Sequence, residues 1–261
     1  MPKGAVSPRK VTEVAGLRGA HPAVTQALAC LEDPDYSLGE LERILRSDQA
    51  VAARIVRLAD AAYFGFRSEV QTVGQAVALL AHGRIRTLLY RIEAEWRLNE
   101  LDQGQASDLR QASQAAAAVA GLLSELLGRE DPGEMRLAGL LHNAGEWLLG
   151  HKGKGWGMPV GRAGRILLEN WSLPPVYGTV AEFCQTPLDP DCPAAYRSRV
   201  WLVHAGLHLA QSQLGGGAAD GALARIAAPV REALDLDVGV ATEILGTLPQ
   251  RMALEQPQVR L

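Results

Sequence analysis

The sequence predicts an all-α fold, and three observations predict it. Of the 261 residues 48% are hydrophobic and only 5% aromatic, with Ala, Leu and Gly dominant, a mix that suits closely packed helices better than sheets. Apolar residues recur at three- and four-residue spacing along most of the chain, as in Ile85, Leu88, Leu89, Ile92 and Trp96. No segment reads convincingly as a strand, and there is no internal repeat.

Residues 1–19 are polar and rich in Gly and Pro, and are expected to form a flexible arm. His21-Pro22 opens a short helix to about Leu31. Ser37-Leu38-Gly39-Glu40 has the form of a capping box and starts a second helix. Asp48 caps a third, carrying Val51, Ile55 and Leu58, which Tyr63-Phe64-Gly65-Phe66 breaks. Thr72-Val73-Gly74-Gln75 is another capping box. His82-Gly83 then interrupts, and a further helix runs to about Leu98. Asn99 to Gln105 is polar and marks the expected boundary between a segment 20–104 and a segment 105–250.

Ser107 begins a long Ala-rich helix to Leu127, stopped by Gly128. Asp131-Pro132-Gly133-Glu134 is a strong helix start, and the helix it opens is expected to carry His142. Gly150 to Gly157 reads as a mobile loop; its two Lys lack the Gly-Lys-Ser/Thr ending of a phosphate loop. Helices are expected over 158–171, 174–184, from about Ala194 to Leu214, and near 219–233 and 237–248, followed by a tail at 251–261. Trp96 and Trp171 are expected to be largely buried.

The net charge of −3 and a pI near 6.1 argue against bulk attraction to nucleic acid or an anionic membrane. Cys30, Cys184 and Cys192 are odd in number and form no CxxC, so no disulfide framework is readable and a reducing compartment, the cytoplasm, is expected. The N-terminus lacks the apolar run of a signal peptide. No uncharged apolar stretch is long enough to span a bilayer, so no membrane insertion is expected.

Three stretches, Ile44 to Tyr63, Val73 to Ala81, and Ala138 to Gly145 followed by Gly164 to Pro174, together resemble the HD-related output domain family, HDOD, of bacterial signalling proteins. Ile44 to Tyr63 is similar to the family's Asp-Pro-x-Leu and Leu-Arg-x-Ala-Asn-Ser pattern, with Gln49, Asp60 and Ala61 departing from it. Val73 to Ala81 is similar to Ile-x-x-Ala-Ile-x-x-Leu-Gly. Ala138 to Gly145, followed by Gly164 to Pro174, resembles the central motif and the helix that ends in Trp-x-Leu-Pro. The resemblance covers about Leu17 to Leu248, and it implies an N-terminal helical subdomain packed on a degenerate HD-like helical half.

In HD-type metal phosphohydrolases the central stretch looks like Leu-Leu-His-Asp-Ile-Gly, and the His-Asp pair holds metal. Here it is His142-Asn143, and a neutral amide does not supply the charge that holds a divalent cation. By the same resemblance the other ligands would fall at Ala112, Val160, Cys184-Gln185 and near Gly206, so His142 alone survives. One imidazole cannot build a hydrolytic metal centre. The resemblance therefore implies a non-catalytic regulatory module with no cofactor, acting on a signalling protein partner or a signalling ligand such as a nucleotide second messenger.

His142 and Asn143 each have two readings: a hydrogen-bonded structural group, or a polar contact in a vestigial ligand pocket. His204 and His208 share a helix face at i, i+4 and would make a metal pair if His142 joined them. That arrangement is the requirement of the rival class, a metal-dependent phosphohydrolase of nucleotides; a cyclic-dinucleotide receptor is the third. Arg84 and Arg91, seven residues apart, are expected on one outer helix face as partner-binding residues, with Glu93 and Glu95 interleaved.

Overall fold

The structure is a computed structural model that describes residues 21–62, 70–80, 82–101, 107–152 and 157–255. The expected arm at 1–19, the break at Tyr63–Phe66 and the end of the tail beyond 255 lie outside the described residues. Every regular element among the described residues is helical, and none is a strand. The chain forms two compact units, divided between Glu100 and Leu101.

The first unit contains α1 (Pro22–Cys30), α2 (Leu38–Arg46), α3 (Gln49–Ala62), α4 (Val73–Leu79) and α5 (His82–Leu101). Local chemistry sets the first four starts. Pro22 sits in the first turn of α1, where its missing N–H costs nothing. Ser37 Oγ accepts the Glu40 N–H at 3.1 Å, and Asp48 Oδ1 accepts that of Val51 at 2.9 Å. Thr72 and Gln75 form a complete capping box. Leu41, Leu45, Ile55, Ile85, Leu89 and Ile92 fill the core.

Three expectations change here. α5 begins at His82 itself, the chain having turned at Leu80, where ψ is 127°. It also continues through Asn99 to Leu101, so the polar stretch Asn99–Gln105 is partly helical; 102–105 lie outside the described residues. Trp96 is only half-buried. The covered stripe runs through Ile85, Leu89 and Ile92, and the Trp96 ring meets His21 edge-on at 5.6 Å.

The second unit is organised on α6 (Ser107–Leu127), which packs against α7 (Pro132–Leu141), α11 (Arg197–Leu214) and α14 (Val238–Glu255). Small residues allow the approach. Ala115 to Ala120 are buried, and a Cβ on Gly139 would lie 2.6 Å from the Ala116 carbonyl oxygen. Gly128, at φ 60°, ends α6 in the left-handed region. α8 (Ala144–Lys152), α9 (Val160–Asn170) and α10 (Pro175–Phe183) follow α7, with Trp171 buried as expected. A 3-10 turn, Ala194–Tyr196, leads into α11.

The structure divides two expected elements. The predicted 219–233 helix is two, α12 (Ala219–Arg225) and α13 (Ala228–Ala233), because Ile226 is extended and Pro229 lies in the first turn of the second. The helix expected to carry His142 ends at Leu141, and α8 starts at Ala144. Residues 150–152 of the expected glycine-rich loop are the last turn of α8; 153–156 lie outside the described residues.

Candidate functional site

His142 and Asn143 form the turn between α7 and α8. The Asn143 carbonyl accepts the Glu146 N–H at 2.8 Å and the Trp147 N–H at 3.3 Å, which launches α8. A Cβ on Gly145 would lie 1.9 Å from the Val160 carbonyl oxygen, so only glycine allows α8 to lie this close to α9.

The Asn143 side chain is buried and bonded on both sides. Its Oδ1 accepts from Ser113 Oγ at 2.8 Å and from Trp147 Nε1 at 3.1 Å, and its Nδ2 donates to the Leu109 carbonyl at 3.3 Å. Ser113 Oγ also stands 2.8 Å from the Leu109 carbonyl, so its one proton serves two acceptors. The Arg110 guanidinium covers the Trp147 ring, 5.9 Å from its centroid.

His142 is half-buried, with Nδ1 2.7 Å from the Gly139 carbonyl, so that nitrogen carries the proton. Burial lowers the pKa of the ring, and the Gly139 bond opposes it more weakly. Glu146, one turn further on, has its carboxyl pKa raised by partial desolvation.

His204 is buried, and both ring nitrogens are engaged. Nδ1 donates to the Cys184 carbonyl at 2.7 Å, and Nε2 accepts the Ala227 N–H at 3.3 Å, which fixes a neutral tautomer. His208 stacks edge-on against it at 4.7 Å. Burial first, then His204 and Arg225, hold the His208 pKa down to about 4. The structure thus brings His204 and His208 together as expected from their spacing, but in a geometry that leaves His204 no lone pair for a metal. Cys184 lies between the two histidine regions: its thiol points at the His142 carbonyl, 3.9 Å away, and burial pushes its pKa to about 12.

A metal does not fit these residues. Among the described residues no three His, Cys, Asp or Glu side chains are grouped to hold one. Gly206 is a contact point, where a Cβ would lie 3.2 Å from the Ala120 nitrogen; Ala112 is half-buried, and Val160 is 43% exposed.

The expected outer face of α5 is corrected. Arg84 is exposed, but the Arg91 side chain is only 12% exposed and its Nε donates to Glu95 Oε1 at 2.9 Å. Glu95 also pairs with Arg54 of α3, and this shared carboxylate holds Arg91 against the unit. Glu93 is buried, accepting the His21 N–H at 3.0 Å and Arg97 Nε at 2.6 Å.

Sequence reasoning did not find Ser113, Trp147 or the carbonyls of Leu109 and Cys184 as partners of this region. Ser113 and Trp147 flank the motif 30 residues before and four residues after Asn143, and only the fold joins the first of them to it.

The whole chain is similar in structure to a protein of Shewanella amazonensis SB2B provisionally named a phosphohydrolase, with a TM-score of 0.69, 19% identity and 97% of each chain covered. It is also similar to a protein of Marinobacter aquaeolei VT8 provisionally named a signal transduction protein, with a TM-score of 0.59, 20% identity, and 95% of this chain and 64% of that one covered. Identities this low carry the fold alone. An uncharacterized protein of Treponema pallidum (strain Nichols) is 25% identical over 116 residues, which are 44% of this chain and 23% of that relative's length. The HDOD domain profile matches residues 20–156, more than half of the chain and including the His142-Asn143 turn. The helical architecture and this match together place the chain in the HDOD domain family.

Proposed function

We propose that the chain is a non-catalytic signalling module that works in the cytoplasm by engaging a signalling protein partner. One observation carries the reading: the Asn143 amide, at the position where a hydrolytic relative would hold metal, is occupied by Ser113, Trp147 and Leu109. The neutral, doubly bonded His204 supports it, as does the protonated thiol of Cys184. The provisional names of the relatives point both to signal transduction and to phosphohydrolase chemistry, and the bonding of these side chains supports the first. No helix among the described residues is long and apolar enough to cross a membrane.

Function on this reading lies on the surface. Arg84 remains the exposed member of the proposed arginine pair, and exposed Arg side chains are frequent anchors in recognition. The test is capture of a partner from the native host with wild type, Arg84→Glu and His142→Ala, using circular dichroism to confirm folding. The reading expects Arg84→Glu to lose the partner and His142→Ala to keep it. A folded His142→Ala variant that loses the partner, with Arg84→Glu retaining it, makes the pocket the working site. A rise in melting temperature with a cyclic dinucleotide would assign the module to second-messenger binding instead.

A further inference from the structure

Asn143 differs from aspartate by one NH₂ group, and that group faces an acceptor. Nδ2 lies 3.3 Å from the Leu109 carbonyl, while Oδ1 takes the two donors, Ser113 Oγ and Trp147 Nε1. The side chain is 3% exposed, so water does not substitute for a mismatched partner. We infer that Asn143 is a positioning residue that pins the α7–α8 turn to α6 through its polarity, and that a carboxylate there would oppose the fold rather than recover a metal site.

The groups facing this position make the inference specific. From α6 come the Leu109 carbonyl and the Ser113 hydroxyl, together with the Arg110 guanidinium on the far partner, the Trp147 ring. From α8 comes the Trp147 indole N–H, and one turn of α8 separates Asn143 from the carboxyl of Glu146. His142 turns Nδ1 to Gly139, His204 has both nitrogens bonded, and the Cys184 thiol stays protonated. An ionised carboxylate at position 143 would point one oxygen at the Leu109 carbonyl, with no set of ligands to share a cation. A protonated carboxyl is different: its O–H can donate to the Leu109 carbonyl while its other oxygen accepts from Ser113 and Trp147, copying the amide.

N143D is therefore expected to behave as a proton-dependent structural variant. In the folded state the neutral acid is the favoured form, so the loss relative to wild type grows as pH rises. Thermal melts of the full chain at pH 5 and pH 8, with and without Mn²⁺ or Zn²⁺, read this directly. N143D should melt nearer to wild type at pH 5 than at pH 8, because the loss begins above the unfolded carboxyl value of about 3.9, and the gap should widen by roughly 5–10 °C between the two. Neither metal should raise its melting temperature more than that of wild type. If N143D is folded at pH 5 and unfolded at pH 8, the same conclusion follows. A variant unfolded at both values, a difference from wild type that does not change with pH, or a selective rise with Mn²⁺ or Zn²⁺ overturns the inference. The inference rests on the non-catalytic reading of the same turn, but the two fail separately: metal binding by N143D alone would leave the wild-type chain non-catalytic.

Discussion

Asn143 and His142 are neighbours in sequence and unequal in structure. The amide has three side-chain bonds and the imidazole has one, to Gly139. Truncating Asn143 to Ala strands the buried Trp147 N–H, while the Leu109 carbonyl keeps the Ser113 hydroxyl, at a cost of about 2–3 kcal/mol. His142→Ala should cost about 1 kcal/mol. Chemical denaturation of both variants checks the order, and equal losses would mean that the amide is not the pin. The histidines also predict a pH response. His142, His204 and His208 are all held below the ordinary histidine value, with burial the largest cause in each. Their native forms are neutral, so the unfolded chain takes up protons first. Their contribution to stability is complete above about pH 6.5 and is lost as pH falls below that value. The loss continues to about pH 4, where native His208 itself titrates. The melting temperature should therefore fall between pH 7.5 and pH 5, and less steeply in His208→Gln; parallel curves would remove His208 from this account. The site was legible in sequence as far as the identity of His142 and Asn143. Its partners were not, because the Leu109 and Cys184 groups are main-chain carbonyls that no side-chain pattern marks.

Helix starts were legible wherever one side chain sets them. Ser37, Asp48, Thr72 and Asp131 each accept the N–H three residues ahead, a bond that depends only on local sequence. The turn at His142-Asn143 was hidden because the apolar spacing continues across it. Leu137, Leu141, Ala144 and Leu148 are all buried at helical intervals although α7 ends at Leu141. Arg91 was misplaced for a related reason: spacing gives its side of α5, but the pull of Glu95 toward Arg54 is tertiary. The close approach of α8 to α9 supplies a test at this scale. Gly145→Ala forces a methyl group into the Val160 carbonyl and should cost at least about 3 kcal/mol. Gly246→Ala, on the exposed side of α14 with open space around it, should add about 0.5–1 kcal/mol of stability. Comparable losses in both variants would contradict the helix contact described here.

At the scale of the whole molecule, the non-catalytic reading holds that the fold is kept while the chemistry of its site is not. The HDOD profile matches residues 20–156, and three positions where the family resemblance would put metal ligands, Asn143, Cys184 and Gly206, are buried. Gly206 admits Ala120, Cys184 receives His204 through its carbonyl, and Asn143 joins α6 to the α7–α8 turn. A chain built this way should act by contact, with Arg84 on its surface the first residue to change. Phosphohydrolase turnover tests this claim most directly. Purified wild type and His142→Ala are incubated with Mn²⁺ and a set of aryl phosphates and cyclic nucleotides, and released phosphate or opened nucleotide is measured. The account predicts no turnover above the buffer rate in either protein. Turnover by wild type that His142→Ala abolishes while still folded would contradict it.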